Sequence, residues 1–144
     1  MLSKYQLAAL ESYFSFIIIN ATHLPALWFF EINLIGGPGS LVNNPPAAAL
    51  NSAYSGRGAL WVVQHYASSS STNILPFVTG LNNAMEKEMP GTAFGGYLNY
   101  VDPGLSAQEA HALYYSKEVY ARLTGIKKVV DPGNVFSNPQ GVGI

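Results

Sequence analysis

The sequence has no cysteine, so disulfides, thiolate catalysis and cysteine-ligated metals are all excluded for this chain. Charge is scarce. Only 10% of residues are Asp, Glu, Lys or Arg, and the formal net charge is −1. With no lysine or arginine run there is no electrostatic footprint for nucleic acid or for an acidic membrane surface. The three histidines, His23, His65 and His111, are too widely spaced to form a metal-binding motif, and no metal site is expected. Long apolar runs are missing too. The stretches 14–19 and 24–35 are interrupted by Asn20, His23, Pro25 and Glu31, well short of the roughly 20 apolar residues that span a bilayer. No apolar segment followed by a small-residue cleavage site comes after Met1, so no signal peptide is expected within the chain.

What is present is core material. The 144 residues are 49% apolar and 12% aromatic, and a globule of this length buries roughly 70% of its unfolded surface. So low a charged fraction, against about 25% in typical soluble domains, points to surface that something else covers or to a neutral, secreted type of surface.

Periodicity predicts an amphipathic helix over 4–16, with Tyr5, Ala9, Ser12, Tyr13 and Phe16 on one face. A strand is predicted over 27–35, with Phe30, Ile32 and Leu34 facing one way and Glu31 and Asn33 the other. Gly36-Gly37-Pro38-Gly39 ends it. A second strand is predicted over 60–66, with Leu60, Val62, Gln64 and Tyr66 on one face. A helix over 73–88 follows, buried through Ile74, Phe77, Val78, Leu81 and Met85, with Pro76 tolerated in its first turn. The next expectations are a third strand over 94–101 and a helical region from the capping box Ser106…Glu109 to about Val130. That region carries Leu113, Tyr120, Leu123 and Ile126 on one face. The pattern as a whole is α+β: an antiparallel sheet with helices on one side.

The segment Tyr97-Leu98-Asn99-Tyr100-Val101-Asp102 resembles the Y-x-N-Y-x-D signature of berberine-bridge-enzyme-like, FAD-linked oxidoreductases of the vanillyl-alcohol-oxidase (PCMH) type. About thirty residues on, Arg122-Leu123, Ile126-Lys127 and Asp131-Pro132-Gly133-Asn134-Val135-Phe136 are similar to the family's closing R-L-x-x-I-K…D-P-x-N-x-F. Both motifs occur in order and at the family's spacing. Trp28 to Gly37, Ala53-Tyr54-Ser55-Gly56-Arg57 and Val63-Gln64-His65-Tyr66 match more loosely. Gly56 stands where the family usually has histidine, and Ser116 where it often has glycine.

The resemblance implies the C-terminal portion of such an enzyme. Residues 1–93 would be the distal part of a substrate-binding domain, 94–144 the family's closing segment and cap, and the N-terminal FAD-binding domain is absent from the chain. The cofactor implied is FAD, and the partners are a small-molecule substrate and an FAD-binding domain of the same or another chain. The reaction implied is oxidation of an alcohol, sugar or alkaloid-type substrate by hydride transfer to flavin. The chain alone is expected to be inactive, and a secreted setting would fit the family. Two alternatives stand beside this reading: an inactive truncated fragment, and a non-catalytic module binding a ligand through Tyr97, Tyr100 and Gln64.

Within the resemblance Tyr100 is the catalytic candidate, a general base for a substrate hydroxyl. A phenol's ordinary pKa of about 10 would have to be lowered for that task. The competing role is that of a buried structural tyrosine. Tyr97 and Asn99 are assigned to the cofactor. On a regular strand, Asn99 and Tyr100 would face apart. Gln64, polar on an otherwise apolar face, needs a partner. That partner is either a substrate hydroxyl or a core group, while His65 points the other way as a structural residue. Arg57 is expected to anchor a carboxylate or backbone carbonyls, or else to sit solvated on the surface. Glu31 is expected on the exposed face of its strand, without a partner. Asp131 to Asn134 reads as a turn, with Phe136 as an anchor for the tail. Asn20-Ala21-Thr22 is an N-glycosylation sequon, a triplet common by chance.

Overall fold

A computed structural model describes residues 4–47 and 52–144, apart from the side chains of Lys4 and Tyr5. The expectation for the Tyr5 side chain therefore lies outside the described residues. The elements run α1 (Lys4–Ala21), β1 (Leu27–Leu34), β2 (Trp61–Ser68), α2 (Leu75–Glu86), α3 (Ala107–Tyr114) and α4 (Lys117–Val130). The α+β class holds, with one two-stranded sheet among the described residues. Two compact units are formed: residues 1–32 with 63–93, and residues 33–62 with 94–144.

In the first unit α1 packs on α2. Tyr13, Phe77 and Leu81 form the buried cluster, and Phe16, Trp28, Phe30, Val78 and Met85 close around it. The helical stripe of α2 is the predicted one, with Ala84 added. α1 runs one turn further than periodicity implied. Its last carbonyls are met by side chains: Asn20 Nδ2 donates to Phe16 O at 2.8 Å, and Thr22 Oγ1 to Ile18 O at 2.8 Å.

The strands pair antiparallel. Ile35 N donates to Leu60 O at 3.0 Å, and the rings of Phe29 and Tyr66 stack across the ladder at 5.1 Å. On β1 the inward parity is as predicted, but it is Trp28 and Phe30 that reach the cluster. Ile32 and Leu34, of the same parity, stay exposed. β1 ends where the backbone must pass closely. A Cβ on Gly36 would sit 2.3 Å from Ala59 O, and Gly37 adopts φ +131°.

The second unit corrects two expectations. No strand forms over 94–101. Gly96 N donates to Leu113 O at 2.9 Å, and the chain then folds into a turn in which Tyr100 N donates to Tyr97 O at 2.8 Å. The alternating aromatics imitate a period of two, but the segment has no ladder partner among the described residues, and a strand without one leaves its backbone groups unpaired. The helical region beyond Ser106 is two helices. Tyr115 is extended at φ −132°, ψ 148°, and Ser116 caps α4 by accepting from Val119 N at 3.2 Å. The capping box at Ser106 and Glu109 is present as read. Tyr120 and Leu123 of the predicted stripe are half-buried, whereas Leu113 and Ile126 are exposed. The residues that α3 buries are Ala110 and Tyr114.

The tail, loose by composition, is tied down at two points. Buried Asp131 accepts from Lys127 Nζ, from Val135 N at 2.8 Å and from Phe136 N at 3.1 Å. The Asp131 carboxyl is held below its ordinary pKa chiefly by the Lys127 bond, with the two backbone N–H groups adding to it against the cost of burial. Further on, His111 Nε2 donates to Gly141 O at 2.8 Å while its ring stacks on Tyr120 at 4.4 Å. Phe136 itself is 83% exposed.

Candidate functional site

In the second unit the structure brings Tyr97, Asn99 and Tyr100 together. They share one turn instead of alternating along a strand, so Asn99 and Tyr100 are not turned to opposite faces as a regular strand would turn them. Asn99 Nδ2 donates to the Tyr97 hydroxyl at 2.8 Å, and the Tyr97 and Tyr100 rings meet edge to face at 5.0 Å. Tyr54 adds a third ring, 6.5 Å from Tyr97.

The turn is held from behind. Tyr114, buried in α3, accepts from Asp102 N at 3.3 Å and donates to Gln140 Oε1 at 3.1 Å. Gln140 Nε2 in turn donates to Asp102 O at 2.7 Å and Leu105 O at 3.0 Å. One buried phenol and one amide thereby fix the exit of the Tyr97–Tyr100 turn. Sequence reasoning passed over both residues, because their partners lie 12 to 38 positions away. The Tyr100 side chain is half-buried, and among the described residues its hydroxyl has no hydrogen-bond partner.

Arg57 takes the carbonyl-anchoring role. Its Nη1 reaches Val42 O at 3.5 Å, its Nη2 donates to Ser52 Oγ at 2.8 Å, and its guanidinium lies 5.1 Å from the centre of the Tyr54 ring.

Gln64 belongs to the first unit, on the face of β2 turned away from the helices. His65 beside it points inward, as expected, and bonds Tyr13 and Asn82. The Phe29–Tyr66 stack fixes the register, and two residues further along that register Glu31 stands opposite Gln64. Only the register reveals this cross-strand position, and no hydrogen bond joins the two side chains. Gln64 is half-buried and Glu31 exposed, with no cation within ion-pair distance of Glu31 among the described residues.

Two hollows lie elsewhere in this unit. One of about 690 Å³ is lined by residues of α1 and α2 including Ser12, Phe16, Gly80 and Asn83, and one of about 290 Å³ adjoins Leu24 and Pro76. No group of three or more metal-ligating side chains occurs among the described residues, and no described helix is long and apolar enough to cross a membrane.

Residues 96–143 match the family described as berberine and berberine like. A carbohydrate oxidase of Microdochium nivale is 32% identical over 120 residues, covering 80% of this chain and 24% of that protein. A chitooligosaccharide oxidase of Gibberella zeae is 28% identical over 141 residues, covering 94% of this chain and 28% of that protein. Among solved structures, the xylooligosaccharide oxidase from Myceliophthora thermophila C1 in complex with xylobiose superposes with a TM-score of 0.76 at 30% identity. That match covers 94% of this chain and 29% of the other. The chain thus spans about a quarter of the length of the curated relatives it matches.

Proposed function

Because the chain belongs to the berberine-bridge-enzyme-like family of FAD-linked oxidoreductases, we propose that it serves an oxidase acting on an oligosaccharide hydroxyl, with Tyr100 as the proton acceptor. The observation that carries this reading is the Tyr97–Tyr100 turn. It presents a phenol with no hydrogen-bond partner among the described residues, next to a hydroxyl and an amide that satisfy each other. The relatives named for carbohydrate, chitooligosaccharide and xylooligosaccharide oxidation support the substrate class.

FAD, when bound, supplies the two-electron acceptor for the hydride. Phenols and an amide suit the polar edge of a flat heteroaromatic ring. They do not suit a diphosphate, which calls for cations or clustered N–H donors. Arg57, the nearby cation, is already engaged with Val42, Ser52 and Tyr54. Tyr97 and Asn99 would accordingly meet the ring end of the cofactor, and the diphosphate would be held by a separate FAD-binding domain. In this division residues 1–93 contribute to substrate binding and residues 94–144 form the closing segment.

The chain's own chemical share is proton transfer. As the phenolate, the Tyr100 oxygen would take the proton of the substrate hydroxyl while the carbon–hydrogen bond is lost as hydride. Gln64 holds a substrate hydroxyl through its amide, which can donate and accept at once.

The test uses the intact flavoprotein that contains this segment, mixed without oxygen with xylo-, cello- and chito-oligosaccharides. Bleaching of the flavin absorbance by at least one of them is the expected result. A flavin that stays oxidised with all three, yet is reduced by a simple alcohol or an alkaloid, would overturn the substrate class.

A further inference from the structure

Two residues along the sheet from a stacked aromatic pair, on the same outer face, a carboxylate with no ion-pair partner among the described residues stands across from an amide. The Phe29 and Tyr66 rings stack at 5.1 Å with their planes 17° apart, and they remain 45% and 44% exposed. Successive pairs on one face of a sheet are separated by about 7 Å, roughly the width of one sugar ring. An aromatic wall beside a polar pair is an arrangement that receives a pyranose, since apolar C–H groups lie against rings and hydroxyls against acceptors.

The polar pair is asymmetric. Gln64 offers both donors and an acceptor, so it serves any hydroxyl. Glu31 when ionised only accepts. It also carries a full negative charge that no lysine or arginine balances within ion-pair distance among the described residues. An amide at position 31 would bond a neutral sugar just as well. What the carboxylate adds is attraction for a positive charge.

We propose that Glu31 makes this face selective for a cationic amino sugar, a glucosamine-type unit whose ammonium meets the carboxylate while Gln64 bonds an adjacent hydroxyl. The inference rests on the oligosaccharide reading above and narrows it to the charge of one sugar unit. A solvent-facing ion pair is a modest interaction, so the selectivity is a matter of a few fold and is weakened by salt.

The test compares the intact flavoprotein with its Glu31→Gln variant at a pH where the amine is protonated. The substrates are a glucosamine oligomer and a cello-oligomer of equal length. In the wild type the ratio of kcat/KM for glucosamine oligomer over cello-oligomer is expected to exceed that in the variant by about fivefold. The change should be carried by KM and should shrink at high salt. A ratio unaltered by Glu31→Gln overturns the proposal. Glu31 is exposed, so the substitution does not threaten folding. If no saccharide reduces the flavin, the oxidase reading has failed on its own, and calorimetric titration of the same two oligomers still decides about Glu31. Weaker binding of the glucosamine oligomer to the variant than to the wild type upholds the selectivity, and equal or absent binding overturns it.

Discussion

The Tyr13 hydroxyl lies 2.9 Å from Nε2 of His65, and the opposite ring nitrogen of His65 lies 2.9 Å from Asn82 Oδ1. The Asn82 oxygen can only accept, so Nδ1 carries the proton and Nε2 receives that of Tyr13. This chain of bonds crosses the core of the first unit from α1 through β2 to α2, and it requires a neutral imidazole. Burial depresses the pKa of His65 below 6.5, and the Asn82 bond offsets only part of that. The unfolded chain therefore binds the proton first as the pH falls. Stability is expected to be full above pH 6.5 and to decline below it, down to the depressed value of the folded state, by at most about 1.4 kcal/mol per pH unit. Urea midpoints measured across that range check the slope, and His65→Gln should flatten it. The lowered carboxyls of Glu109, Glu118 and Asp131 act at more acid pH, below their own ordinary values. Tyr13, whose hydroxyl burial pushes up to about 12, sets the alkaline limit. Its contribution is present below pH 10 and lost as the pH climbs from there through about 12.

Gly36→Ala is expected to destabilise the fold. A Cβ there would lie 2.3 Å from Ala59 O and 2.8 Å from the Leu60 Cα, both backbone atoms that cannot swing aside, and 2.6 Å from Asn43 Oδ1. Asn43 is itself committed, donating to Arg57 O at 2.6 Å and Ala59 O at 3.1 Å. Overpacking of this kind costs about 1–3 kcal/mol. A denaturation midpoint equal to that of the parent would show that the β1 exit can relax.

These positions show what the sequence makes legible. Local rules act within a few residues. The capping box of Ser106 and Glu109, the buried stripe of α2 and the glycine stop after β1 could all be read directly. Failures arise where a tertiary partner decides. The 94–101 segment has a strand's alternation but no ladder partner among the described residues, so the Tyr97–Tyr100 turn prevails. The break at Tyr115 is local in cause, since Ser116 is a good cap, yet an uninterrupted helical stripe hid it. The candidate site divides the same way. The motif identified Tyr97, Asn99 and Tyr100 without their geometry. The Gln140–Tyr114 hydrogen bond joins residues 26 apart, and the sheet register alone sets Glu31 opposite Gln64; no periodicity encodes either.

In the intact flavoprotein, Tyr100→Phe removes the proton acceptor and keeps the ring that meets Tyr97 at 5.0 Å. Loss of a general base costs about 10²–10⁴ in rate. Stopped-flow measurement of flavin reduction should therefore show a fall of that order with flavin content unchanged. An undiminished rate would leave Tyr100 with a packing role only.

The 144-residue polypeptide by itself is expected to be colourless and to associate. Its Tyr97, Asn99 and Tyr100 could contribute only one wall of a flavin site, and the charge-assisted bonds that hold a diphosphate are among the stronger ones available. Its surface argues the same way. Ile18 and Ile19 near the end of α1, Val129 and Val130 at the end of α4, and Val135 and Phe136 in the tail beyond it are each more than 70% exposed. Apolar groups clustered in this manner favour association once their patch exceeds a few hundred Å². Tying the Val135 and Phe136 backbone to buried Asp131 holds those side chains outward instead of letting them collapse onto the chain. Size-exclusion chromatography with simultaneous absorbance at flavin wavelengths is the measurement. A monomeric peak carrying one flavin per chain would mean that the diphosphate is held by residues assigned here to structure, and the division of labour proposed for the two parts of the enzyme would fall.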